Sequence, residues 1–379
     1  LRSYFEGRKD LFEGLAMAQL EKDWAQYPVL HFSLSLKRIV AIEDVGYLLD
    51  SLLRDFEKIY GVEPGTAKTQ YGIRMKDLVL RAGAQTGQKV VLLIDEYDAP
   101  ILDTMHDDKL MDAVRHQLRD FYSPIKDLDS KLQFVFITGI SKFSQLSIFS
   151  ELNNLTTITM NNAYAAICGC TRDEIVTQLA PEVENLAKAM NVSVNTALMR
   201  LKRKYDGYHF SKSSPDIYNP FSILNVFDSN RVDDYWFKTG TPTYLIRLLN
   251  HTQENLNELT GKYYDPSQFF DYKADVEKPL PMIFQSGYLT IKDCDLDMNT
   301  YLLDFPNNEV KNGFVTMVAA DYLKNRTDAG SWARDVVKAL RVGDLDLFYK
   351  LLTSFLADIP YSMRRKENER ERERYFHYT

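Results

Sequence analysis

Cysteine is scarce in this chain: Cys168, Cys170 and Cys294 are the only three in 379 residues. Their number and spacing exclude a disulfide framework and a zinc knuckle, and they read as buried thiols in a reducing compartment. No apolar run approaches the ~18 residues of a membrane span. The opening residues, LRSYFEGRKD, carry no signal-peptide pattern. The expected location is the cytoplasm, with no membrane partner. Positive charge is not in excess either: the net charge of −7 leaves no global basic footprint for nucleic acid. The six histidines show no ligand spacing, and neither HExxH nor a serine nucleophile elbow occurs. Metalloprotease and hydrolase-fold readings are thereby excluded.

What the chain does have is an ordinary globular composition, 45% hydrophobic and 26% charged, over a length that calls for two or three structural units. Its most informative run is VVLLIDEYD, residues 90–98. Five apolar residues, Val90 to Ile94, make a buried strand with the carboxylates Asp95 and Glu96 at its C-terminal end. Ligands bind at that edge of a parallel α/β sheet. An acidic pair there can hold a hydrated Mg²⁺ and orient water, as nucleotide hydrolysis requires. Core strands also end in acidic residues at plain surface turns, so the run alone is only moderately specific.

The surrounding pattern supplies context. Residues 29–36 alternate as a strand, and 42–60 form an amphipathic helix ended by Gly61. A second helix is expected over 75–84, a strand over 89–94, a helix near 110–122, a strand over 132–138 and a last short strand over 156–160. Strands alternating with helices predict a parallel, doubly wound sheet. Residues 173–204 are helical in pattern apart from an interruption at Pro181. A turn-rich aromatic segment follows (205–222), then helices to about 258, turns around short apolar stretches over 259–310, and helices over 313–323 and 335–356. The run over 363–379 mixes Arg and Glu and reads as a solvated helix face.

The second buried strand, QFVFITGIS, ends in polar residues, making Thr138 and Ser141 candidates for a polar sensor of the γ-phosphate. Strand-end capping is the plain alternative for either one. Asp98 stands where it could position Glu96 or cap the next segment. Lys202, Arg203 and Lys204 could touch phosphate, although three adjacent charges on a helix are more often solvated surface.

Taken in order, VVLLIDEYDAPI, FVFITGISKFSQLSIFSELNNLTTITM, YDGYHF with IYNPFSIL, YWFKTGTPTYLIRLL, IFQSGYLTIKD and LLDFPNNEV resemble a bacterial AAA-ATPase-like family. In its usual layout a P-loop ATPase domain precedes a PD-(D/E)XK nuclease-like domain. The resemblance runs through nearly the whole chain. It implies ATP and Mg²⁺ as cofactors, with Asp95 as the Walker B aspartate that organises the metal and Glu96 as the residue that polarises the attacking water. The block Thr138–Phe143 falls at the sensor strand.

Two departures accompany it. The family's phosphate-binding loop lies just upstream of a YFEG-like sequence, here Tyr4–Gly7, and no GxxxxGK[ST] occurs in the chain. IPYSMRRKENERERERYFHYT looks like the entry to the nuclease-like part, whose catalytic residues would lie further on. The expectation is a longer natural protein that hydrolyses ATP, with this chain alone inactive. The strands over 132–138 and 156–160 are then expected to flank an empty sheet position.

The fold expected is α/β: a P-loop NTPase-type parallel sheet flanked by helices, followed by a mainly helical region. The expected divisions are an ATPase core over 1–165, a helical lid or middle region over 166–258, a mixed connector over 259–350 and the start of the nuclease-like domain over 351–379. Nucleic acid is the partner implied for that last domain. The alternative is a nucleotide-regulated or catalytically inactive protein-interaction module, with residues 205–221 and 235–249 as its partner surface. Arg115, Arg119, Arg172 and Arg247 are undistinguished as arginine-finger candidates.

Overall fold

The computed structural model describes residues 1–105, 107–140, 155–236, 259–270, 279–314 and 329–357. The chain divides into two compact units, one of Leu1–Asn161 with Tyr264–Gly287, the other of Asn162–Tyr263 with Tyr288–Thr379.

The first unit is built on a three-stranded parallel sheet, β1 (Val29–Ser33), β2 (Val90–Asp95) and β3 (Leu132–Ile137), in spatial order β1-β2-β3. A run of apolar residues puts side chains on both faces of β2, and both faces are covered, so Val90 to Ile94 are all buried. One face receives α1 (Ile42–Tyr60), α2 (Tyr71–Thr86) and α4 (Asp108–Tyr122), which pack on one another. Phe32 of β1 meets Phe56 of α1 and Phe121 of α4 edge-on, at 5.4 and 5.6 Å between ring centres. On the other face Val29, Val91 and Leu93 are packed by Phe5, Tyr27, Phe134 and Phe136. The short helix α3 (Ala99–Thr104) links the end of β2 to α4. Gly72 of α2 lets the helices touch, since a Cβ there would lie 2.3 Å from the Asp120 carbonyl oxygen. Buried Arg74 ties α2 to α1 through Asp50 and Glu57, each at 2.8 Å.

The strand expected over 156–160 is not formed. The segment is irregular and ends in a turn, with Met160 at φ +62° and the Asn161 N–H on the Ile158 carbonyl at 3.0 Å. Its β-branched residues favour a strand, but a strand needs a partner to take its backbone groups. Among the described residues β3 has one neighbour, β2, and its residues 134–137 are only half-buried.

The second unit holds α5 (Arg172–Thr177), α6 (Ala180–Ala189), α7 (Val194–Tyr205) and α8 (Pro220–Ser229), packed around Ile175, Leu186, Leu201, Tyr205, Ile223 and Val226. Pro181 does not interrupt a helix: it lies in the first turn of α6, where its missing N–H is not needed. A two-residue antiparallel pair, β4 (Cys170–Thr171) with β5 (Ile217–Tyr218), precedes α5 and α8. Three further strands, β6 (Lys262–Tyr264), β7 (Thr290–Asp295) and β8 (Thr300–Asp304), are ordered β6-β8-β7. Near the C-terminus α9 (Ala329–Val342) and α10 (Leu345–Ala357) replace the single helix expected over 335–356, because Gly343 turns the chain at φ +72°. The thiols also differ from expectation: Cys168 is exposed and Cys170 and Cys294 are half-buried.

The turn-rich YDGYHF segment is fixed to the β7–β8 hairpin. Gly207, at φ +101°, passes so close to Pro306 that a Cβ would lie 2.4 Å from its carbonyl oxygen. The Lys292 ammonium donates to the carbonyls of Gly207 and Pro306 at 2.9 and 2.8 Å.

Candidate active site

Asp95 and Glu96 stand at the C-terminal edge of the central strand, where the parallel sheet ends. The tip of β2 is clamped from both sides. The Leu34 N–H donates to the Asp95 carbonyl at 3.0 Å, and the Thr138 N–H donates to the Ile94 carbonyl at 2.9 Å. The Asp95 side chain is exposed, and the Thr138 hydroxyl donates to its Oδ1 at 2.5 Å. Thr138, selected in the sequence as a strand-end polar residue, thus reaches the first carboxylate directly.

Glu96 leaves the strand in the left-handed region, at φ +52°. For a residue with a Cβ this costs about 1–2 kcal/mol. The turn reverses the chain at once. Its carbonyl accepts the Ala99 N–H at 3.0 Å, and Tyr97 reaches back to donate its N–H to the Thr138 carbonyl at 3.0 Å. Glu96 is left half-buried beside exposed Asp95.

Asp98 is fully buried, at 0% exposure. Its Oδ1 accepts the Ile140 N–H at 3.2 Å, and its main-chain carbonyl accepts the N–H groups of Ile101 and Leu102 as α3 begins. Its carboxylate therefore holds the segment after β3, while its backbone starts the helix. Gly139 makes this crossing feasible: a Cβ there would meet Asp98 Oδ1 at 2.5 Å and the Tyr97 ring at 2.6 Å. In the sequence Gly139 carries no signal beyond following the apolar run of β3. A second missed residue is Asp103 of α3, which accepts the Ile39 N–H at 2.8 Å and fixes the loop after β1.

Asp95, Glu96, Asp98 and Thr138 are thus brought together. Ser141, like the rest of its block through Phe143, lies outside the described residues, as do Arg247 and residues 358–379. Arg115 of α4 is paired with Asp112 at 2.9 Å. No group of three or more His, Cys, Asp or Glu side chains able to hold a metal occurs among the described residues. A lone exposed carboxylate such as Asp95 would suit a divalent cation that keeps most of its water, as Mg²⁺ does.

Residues 1–149 match the AAA-ATPase-like family, described as predicted AAA-ATPase. Over 364 residues the chain is 31% identical to an uncharacterized protein from the vnfD 5′ region of Azotobacter chroococcum mcd 1, covering 95% of this chain and 68% of that protein. No solved structure matches. The chain belongs to the AAA-ATPase-like family. Among the described residues no helix is long and apolar enough to cross a membrane.

Proposed function

We propose that the whole protein binds and hydrolyses ATP, with Asp95 and Glu96 as the carboxylates of a P-loop NTPase-type site. The observation that carries this reading is the placement of both at the open end of the central parallel strand, with Thr138 on Asp95 at 2.5 Å. Exposed Asp95 is free to face a metal–phosphate complex, and the Thr138 hydroxyl fixes its rotamer by donating to one oxygen. The left-handed turn sets Glu96 off the strand axis, so the two carboxylates need not converge on the same point. Glu96 then takes the role of accepting the proton of an attacking water. Mg²⁺, when bound with ATP, would neutralise charge developing on the phosphates. The sequence holds no GxxxxGK[ST], so Asp95 and Glu96 supply the metal- and water-directed half of such a site. Coupling to a PD-(D/E)XK nuclease-like part is the finer proposal and rests on sequence resemblance.

The test is ATP binding and turnover by the whole protein with and without Glu96→Gln. Retained Mg²⁺-dependent binding with turnover lowered ~10²–10⁴-fold supports the assignment. Unchanged turnover removes Glu96 from the role. Absence of any Mg²⁺-dependent ATP binding favours the interaction-module alternative.

A further inference from the structure

Helix α7 carries Arg200, Arg203 and Lys204 at intervals of three and four residues, which puts them on one helix face. That face lines a cleft of about 580 Å³ within the second unit. Arg231, which follows the C-terminus of α8, lines the same cleft, together with Asn308 and Asn312. Lys202, the other member of the basic run, is not part of the lining. The position of Arg231 is set by the helix end: Asn230 closes α8 in the left-handed region, and the Arg231 N–H bonds to the Val226 carbonyl at 3.3 Å.

Lys204 is neutralised by Asp234 at 2.7 Å. Arg200, Arg203 and Arg231 are exposed, and among the described residues none forms an ion pair. Cations in the last turn of a helix complement its dipole, which accounts for Arg203 and Lys204. It does not account for Arg200 a turn earlier, nor for an arginine brought to the same concavity by a different helix. Three unneutralised guanidinium groups facing one cleft repel one another and suit an anion with several phosphates.

We propose that this cleft holds the phosphate backbone of a nucleic acid strand. Among the described residues the lining contains no aromatic ring on which a base could stack, so contact is to phosphate and sugar, and independent of sequence. The asparagine amides supply neutral hydrogen bonds beside the arginines. Because the chain as a whole is acidic, the attraction is local and steeply salt-dependent. The inference does not rest on ATP hydrolysis, and its test requires no nucleotide.

The experiment is fluorescence anisotropy of labelled single- and double-stranded DNA of about 20 nucleotides against the full chain, between about 50 and 200 mM salt. Arg200→Glu/Arg203→Glu/Arg231→Glu is expected to weaken binding more than ~10-fold at low salt and to reduce the salt slope by roughly 2–3. The charge-matched control, Lys76→Glu/Lys89→Glu/Lys126→Glu, alters exposed lysines of the first unit and should change affinity less than about twofold. Arg200→Gln/Arg231→Gln, milder in charge, should show an intermediate loss with an unchanged circular dichroism spectrum. Equal losses in the triple variant and the control, or no DNA binding at the lowest salt, would overturn the proposal. So would inorganic triphosphate bound through the same arginines while neither DNA form binds, an outcome that reassigns the cleft to a small polyphosphate.

Discussion

Asp95 and Glu309 are both carboxylates held in place by hydrogen bonds, but their surroundings are opposite. At the sheet edge Asp95 is exposed and receives one hydroxyl, from Thr138. In the second unit Glu309 is 1% exposed and accepts the Ser222 hydroxyl at 2.7 Å and the N–H groups of Tyr235 and Trp236. Burial pushes the Glu309 carboxyl above the usual range despite these donors, and it does the same to Asp206. A carboxylate saturated by its own protein organises the fold. One left open at the end of a parallel strand has lone pairs to offer a ligand. The contrast separates structural acids from acids suited to chemistry without reference to motifs.

The largest expected effect is on rate. Glu96→Gln in the whole protein should lower ATP turnover ~10²–10⁴-fold while leaving the urea midpoint nearly unchanged. A stability loss of the same energetic size would place Glu96 with the structural acids, beside Glu309. Glu309→Ala is the converse, leaving a buried hydroxyl and two N–H groups without their acceptor. We expect a loss of about 2–4 kcal/mol in chemical denaturation, with ATP affinity of the intact protein preserved. Gly139→Ala places a methyl against Asp98 and Tyr97 and should cost about 1–3 kcal/mol, read from the same denaturation curves.

The pH dependence sharpens the comparison further. Glu309 has a raised folded-state pKa, so its stabilising contribution is fully present below the ordinary glutamate value of 4.5 and lost as pH rises through the folded value. Glu309→Gln removes that dependence while its amide can still meet the same partners. Its stability relative to wild type should therefore be greatest near neutral pH and decline on acidification, measured by urea midpoints across the range. The smallest effect belongs to Thr138→Val, which removes one hydroxyl from an exposed carboxylate. About 1 kcal/mol, roughly fivefold in turnover, is expected from steady-state kinetics.

The strands β2 and β3 and the helices α1 and α4 were legible because a continuous apolar run or a 3.6-residue stripe reports burial directly. Asp95 and Glu96 were legible for the same reason: they end such a run. The left-handed turn at Glu96 was not, because glutamate has no preference for that conformation and only the packing of Tyr97 and Asp98 against β3 imposes it. Residues 156–160 misled because β-branched side chains state a preference, whereas a strand also needs a neighbour. Pro181 misled because proline both ends helices and begins them, and the local sequence does not say which. The arginine cleft was only half visible: Arg203 and Lys204 stood out as a charge run, but Arg231 joins them through the packing of separate elements.

The left-handed turn at Glu96 also bears on which substitutions selection would admit. Glycine or asparagine would occupy φ +52° with less strain, so a screen for folding alone should enrich both at this position. A screen for ATP turnover should reject both. Disagreement between the two screens at Glu96 is what the proposed function predicts: packing imposes the turn, and turnover, not folding, keeps a glutamate in it.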